Sequence, residues 1–174
     1  MKITGRNIKR RLYGLRNLTS NLKRGRYWRG HGVHSPFVYA IVREVFMCRK
    51  LKSEHRKLYD ELIALQTPKR RAIELQNLLE HCHYSTFAID CTAEQMEGKD
   101  MVIATLKCGD EQLQQMAAKA TELRTTLCIL APAYDRERDE CCKALAKEHQ
   151  CTSVDNRGYL LLFNNHLPRQ KFRL

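Results

Sequence analysis

The sequence predicts an α/β protein: a helical N-terminal third, then a small sheet of about five strands that closes in an antiparallel hairpin. Three observations carry that expectation. Apolar residues recur at helical spacing as far as Cys82. From Thr86 the pattern changes to short, nearly continuous apolar runs, "TFAIDC" (86–91), "MVIATL" (101–106) and "TTLCILAP" (125–132), as expected of strands covered on both faces. Finally, "CTSV" (151–154) and "YLLLF" (159–163) flank Asp155-Asn156-Arg157-Gly158, a turn sequence suited to a hairpin.

Residues 1–30 read as a basic amphipathic segment. Ile8, Leu12, Leu15 and Leu22 recur at helical spacing, with basic residues filling the positions between and Gly14 weakening the helix. An arginine-rich, acid-free start also has the composition of a mitochondrial transit peptide, but Tyr27-Trp28 and the residues after them run on without a cleavage-like break. Residues 31–84 form a helical region expected to pack on the sheet. In "RGHGVHSPFVYAIVREVF" (29–46), Ser35 caps a helix and Pro36 takes its first position, where a missing N–H costs nothing. Phe37, Ile41 and Val45 then line one stripe, with Val38, Val42 and Phe46 beside it. Gly30 and Gly32 permit the tight approach of the chain, and His31 and His34 beside the helix start read as hydrogen-bonding groups, not catalytic bases, having no neighbouring carboxylate or nucleophile. Ser53 precedes a helix carrying Leu58, Leu62 and Leu65, and Thr67-Pro68 ends it and starts the next, through Ile73, Leu75, Leu78 and Leu79. Residues 85–174 form the α/β part. Gly109-Asp110 opens a helix through Leu113, Met116 and Ala120, and a second runs from Asp135 to Glu148 with Glu137-Arg138-Asp139-Glu140 as an exposed, salt-bridged face.

At 174 residues the chain suits one domain, and 43% hydrophobic with 29% charged residues fits a folded chain. No uncharged apolar stretch approaches the roughly 20 residues of a membrane span, so no transmembrane segment is expected. The net charge of +12 is unevenly spread. Residues 1–57 hold 16 Lys and Arg against Glu44 and Glu54, a net of +14, whereas residues 58–174 hold 15 basic and 17 acidic side chains, a net of −2. Such a split predicts attraction to a polyanion, RNA or a ribonucleoprotein surface first. The candidate contacts are Lys9, Arg10, Arg11, Arg16, Lys23, Arg24, Arg26 and Arg29, with Tyr27 and Trp28 able to stack on bases. An anionic membrane surface is the lesser alternative, because the apolar stripe is thin.

Eight cysteines without a single C-x-x-C pair fit a reducing, cytoplasmic compartment, and Cys128 inside its apolar run reads as a small core hydrophobe. The side chains of the consecutive His81-Cys82-His83 diverge, so no metal site is expected. The motifs of P-loops, nucleophile elbows and zinc proteases are absent from the sequence.

The stretch "HGVHSPFVYAIVREVF" resembles the N-terminal signature of a group of bacterial class I S-adenosylmethionine-dependent methyltransferases, an H-G-x-H-S-P-F-V segment preceding the catalytic domain; His31, Gly32, His34, Ser35, Pro36 and Phe37 carry the likeness. "KDMVIATLKCGDEQLQQMAAKA" resembles that family's fourth strand and following helix, and the chain from Thr125 to Leu174 resembles its fifth strand, closing hairpin and basic-aromatic tail. The resemblance implies a Rossmann-like methyltransferase sheet. It also implies an acidic, glycine-rich loop after the first strand, where only glycine leaves room for the cofactor. This chain lacks that loop: the only glycine between Phe46 and Met101 is Gly98. Room for one strand, at 86–91, stands where the family has three. The expectation is therefore a reduced, catalytically inactive relative with no cofactor, and possible self-association through an exposed sheet edge. The alternative is an active enzyme holding S-adenosylmethionine in an atypical site, for which Asp90, Thr105 and Asp110 are the candidate residues.

Overall fold

Ser35 accepts a hydrogen bond from the Val38 N–H at 3.4 Å and Pro36 takes the first helical position, so the chain enters its first helix as the sequence predicts. The computed structural model describes residues 32–174. Helix α1 spans Pro36–Ile41 and widens into a π-helical turn over Val42–Phe46. The wider turn buries Val42, Val45 and Phe46 together. Helix α2 spans Lys57–Ala64 and α3 spans Lys69–His81. Ser53 precedes α2 as expected, but the helix starts only after Arg56, and the Ser53 hydroxyl donates to Glu80 at 2.7 Å. One expectation fails locally. Leu65 lies past the end of α2 and is 39% exposed, because the helix stops one residue short of carrying it inward.

The described residues contain a six-stranded sheet, one strand more than expected: β1 Phe87–Ile89, β2 Met101–Ala104, β3 Thr126–Leu130, β4 Ser153–Asp155, β5 Tyr159–Leu162 and β6 Lys171–Arg173. The order across the sheet is β1-β2-β3-β5-β4-β6. Strands β1, β2 and β3 run parallel, β5 lies antiparallel between β3 and β4, and β6 pairs parallel with β4. The hairpin at Asp155 to Gly158 forms where its turn residues place it. Strand β6 has only Phe172 half-buried between exposed Lys171 and Arg173, a pattern too short and too basic to read as a strand. Strand β1 is half-buried throughout because it forms a sheet edge, which corrects its reading as a strand covered on both faces.

Strand periodicity divides the core into two. Met101, Ile103, Cys128, Leu130, Tyr159 and Leu161 face α1, α2 and α3, where Leu58, Leu62, Leu75 and Leu78 are fully buried. Phe37 meets Phe163 edge-on at 5.1 Å and Phe46 meets Tyr159 at 6.0 Å, so the stretch read as a core stripe is one. Val102, Ala104, Leu127, Ile129, Leu160 and Leu162 face the other way, onto α4 Asp110–Leu123, α5 Arg136–Glu148 and Met96 of the short 3₁₀ turn Glu94–Met96. The result is a sheet between two helical layers. All eight cysteines are free, and Cys128 is fully buried in the first core. Among the described residues no helix is long and apolar enough to cross a membrane.

Candidate functional site

The parallel strands β1, β2 and β3 end together at Ile89, Ala104 and Leu130, and open α/β sheets bind ligands beyond such carboxyl ends. Asp90, the first residue past β1, takes a left-handed conformation (φ 51°), a state an aspartate tolerates better than most side chains. That turns its carboxylate onto the loop after β2. One oxygen accepts the Thr105 N–H at 2.6 Å and the Cys108 thiol at 3.3 Å, and the other accepts the Thr105 hydroxyl at 2.7 Å. The structure thus brings Asp90 and Thr105 together and binds them to each other. Asp110 stands apart from them as the first residue of α4, where a carboxylate complements the helix's positive end. Burial, reinforced by the hydrogen bond to Asp90, pushes the Cys108 thiol up to about 12, so it remains a donor at neutral pH.

Behind this triad lies Arg138, which corrects the reading of 137–140 as an exposed charged face. Arg138 and Asp139 are each 6% exposed. Arg136 and Glu140 form a bridge on the surface at 2.7 Å, and Lys143 reaches back to bridge Asp139. The Asp135 side chain caps α5 by accepting the Arg138 N–H at 3.0 Å, and the Arg138 guanidinium turns inward. It donates to the carbonyl oxygens of Cys108 at 2.8 Å, Thr105 at 2.9 Å and Leu130 at 3.2 Å, stitching the ends of β2 and β3 together. No pattern in the sequence marks this, because helical spacing gives Arg138 the same outward prior as its neighbours.

A second missed cluster surrounds Glu74, which is fully buried on α3. Its carboxylate accepts from Arg70 at 2.9 Å, Arg71 at 2.5 Å and the Tyr159 hydroxyl at 3.1 Å. The signal was present: two arginines three and four residues ahead of a lone acid, inside an otherwise apolar stripe.

Around the sheet's carboxyl end lie two depressions of different character. A shallow one of about 430 Å³, beside β1, is lined by Thr92, Ala93, Glu94, Glu111, Gln112 and Gln115. A larger one of about 730 Å³ lies over the ends of β2 and β3, with Arg70, Arg71, Lys107 and Arg157 at its walls. Among the described residues no group of three or more His, Cys, Asp or Glu is placed to hold a metal ion. The basic and aromatic candidates from Lys9 to Arg29, and His31 of the signature, lie outside the described residues. Of the rest of that signature, Gly32 has φ 77°, where a side chain would be strained, His34 is exposed, and Ser35, Pro36 and Phe37 start and anchor α1. Compared with known proteins, the chain matches no family model, no curated protein and no solved structure.

Proposed function

We propose that the chain is a methyltransferase-like protein without catalytic activity that serves as a basic binding protein for RNA or a ribonucleoprotein surface. The observation that carries this reading is the charge split, +14 over residues 1–57 against −2 over the remainder. The described part of that basic third adds to it. Arg43, Arg49, Lys50, Lys52, Arg56 and Lys57 are all exposed, and of these only Lys52 and Arg56 bridge to carboxylates, Glu44 and Asp60.

Two features support a scaffold without the family's chemistry. Strand β5, antiparallel between β3 and β4, is the kind of closing hairpin the resemblance implies. The residues after β1 do not fit an adenosyl ligand: Asp90 has both carboxylate oxygens engaged by Thr105, and Cys91-Thr92-Ala93 beside it include no glycine to let a ligand approach the backbone. Strand β1 is the sheet edge, so among the described residues no neighbouring strand completes a crevice beside it. The alternative, an active enzyme using S-adenosylmethionine, is favoured by the two blocks that resemble the family, the H-G-V-H-S-P-F-V segment and the stretches from Lys99 onward. Calorimetry with S-adenosylhomocysteine separates the two: heat saturating at micromolar ligand would restore the active reading.

For RNA, the full-length chain is titrated with a fluorescent single-stranded oligonucleotide across a salt series. The affinity should fall steeply with salt. Replacing four basic residues together (Lys9→Gln, Arg10→Gln, Arg11→Gln, Arg16→Gln) should flatten the log–log slope by about 3, from roughly 0.7 for each phosphate no longer neutralised. An unchanged slope in that variant would remove the proposal's basis.

A further inference from the structure

The recess over β2 and β3 is built from four separate parts of the chain: the turn joining α2 to α3, the loops after β2 and β3, and the β4–β5 turn. Its volume of about 730 Å³ is in the range of sites that enclose small organic ligands. Its lining combines two features, one electrostatic and one apolar. Four of the lining residues, Arg70, Arg71, Lys107 and Arg157, are cationic and none is acidic. Between them, Leu106 and Leu65 present large apolar side chains that are 47% and 39% exposed, continued by Ala131 and Tyr134.

The start of α3 opposes the usual electrostatics of a helix. A helix N-terminus carries partial positive charge and favours acids in its first turn. Here the first turn is Lys69, Arg70 and Arg71 with no acid, and Pro68 at the cap position supplies no side-chain acceptor. Glu74 is one carboxylate shared by two guanidinium groups, so one positive charge of that trio stays uncompensated at the recess wall. Arg71 is further fixed in place by stacking over the Tyr159 ring at 5.5 Å. Lys107 approaches from the opposite loop, exposed and one residue from Leu106.

We propose that this recess binds a small phosphate monoester carrying an aromatic or other apolar body. The dianionic head matches the surplus of cations and the fork geometry of Arg70 and Arg71, and the helix N-terminus adds to the attraction. The body lies on Leu65, Leu106 and Tyr134, removing their apolar surface from water. The site shares no residue with 1–57, so it stands apart from the RNA-binding reading.

Full-length protein is titrated by calorimetry with phenyl phosphate, phenol and inorganic phosphate at low salt. Phenyl phosphate should bind at least tenfold more tightly than either fragment. Lys107→Gln should weaken it about tenfold. Leu106→Ser should weaken phenyl phosphate about tenfold while leaving inorganic phosphate within twofold. Both side chains are exposed, so an unchanged melting temperature in each variant accompanies the loss. A 5′-hydroxyl RNA 12-mer should leave phenyl phosphate binding unaltered. Equal affinities for phenyl phosphate in the parent and in either variant, binding no tighter than that of the fragments, or displacement by the 12-mer would each overturn the assignment.

Discussion

If Asp90 is a structural pin and not a ligand-binding carboxylate, removing it must cost stability. In Asp90→Ala, the Thr105 N–H, the Thr105 hydroxyl and the Cys108 thiol all lose their acceptor. Hydrogen bonds to a charged acceptor are individually worth about 1.5–3 kcal/mol, but water reaches this half-buried loop and replaces part of them, leaving a net loss of about 2–3 kcal/mol. Alanine at φ 51° adds little beyond this, because the native aspartate carries the same Cβ and gives up only its local hydrogen-bonding advantage in the left-handed region. The variant should therefore lose about 2–3 kcal/mol, which for a chain of this length lowers the melting temperature by at least about 4 °C. Asp90→Asn keeps one acceptor oxygen for the Thr105 N–H and tolerates the left-handed backbone, so its loss should be about 1 kcal/mol. The assay is thermal unfolding by circular dichroism, checked by urea melts. A carboxylate kept for a ligand behaves oppositely, since removing a buried functional charge is neutral or stabilising. An Asp90→Ala variant melting within about 2 °C of the parent would refute the reasoning.

Arg138→Met should take the guanidinium donor from three carbonyl oxygens at the ends of β2 and β3, of which only that of Thr105 keeps another, the Cys108 N–H, and lower stability by about 2–4 kcal/mol in urea, with the slope of the transition unchanged. Leu75→Ala, at a fully buried position, should cost about 2–5 kcal/mol in the same assay. Burial holds the His149 imidazole below its ordinary value, against its hydrogen bond to the Phe163 carbonyl. Below about pH 6.5 the unfolded chain therefore binds more protons than the fold, and stability should fall as pH drops from about 7.5 to about 5.5, levelling off only below the folded value. His149→Gln should shrink that fall, measured as urea midpoints at the two pH values; an identical fall would show that other groups carry it.

The placement of the elements was legible wherever a local rule sufficed. The Ser35-Pro36 start, the α3 stripe, the continuous apolar runs of β2 and β3, and the turn at Asp155 to Gly158 all lie where spacing and turn chemistry put them. These are decided within a few residues, by capping, periodicity and backbone preference. Strand β6 was not, because Lys171, Phe172 and Arg173 become a strand only by pairing with β4.

The site was legible only in part. Asp90 and Thr105 could be singled out as residues at strand ends, but not that they satisfy each other, since this depends on the left-handed turn at Asp90 and the register of β1 on β2. The inward guanidinium of Arg138 and the meeting of Arg70, Arg71, Lys107 and Arg157 around one recess bring together residues far apart in the chain. The charge asymmetry and the local elements follow from the order of residues alone, because both are sums over chain neighbours. Which polar groups are buried, paired or gathered follows from the packed fold, because desolvation and hydrogen-bond partners exist only once distant segments meet.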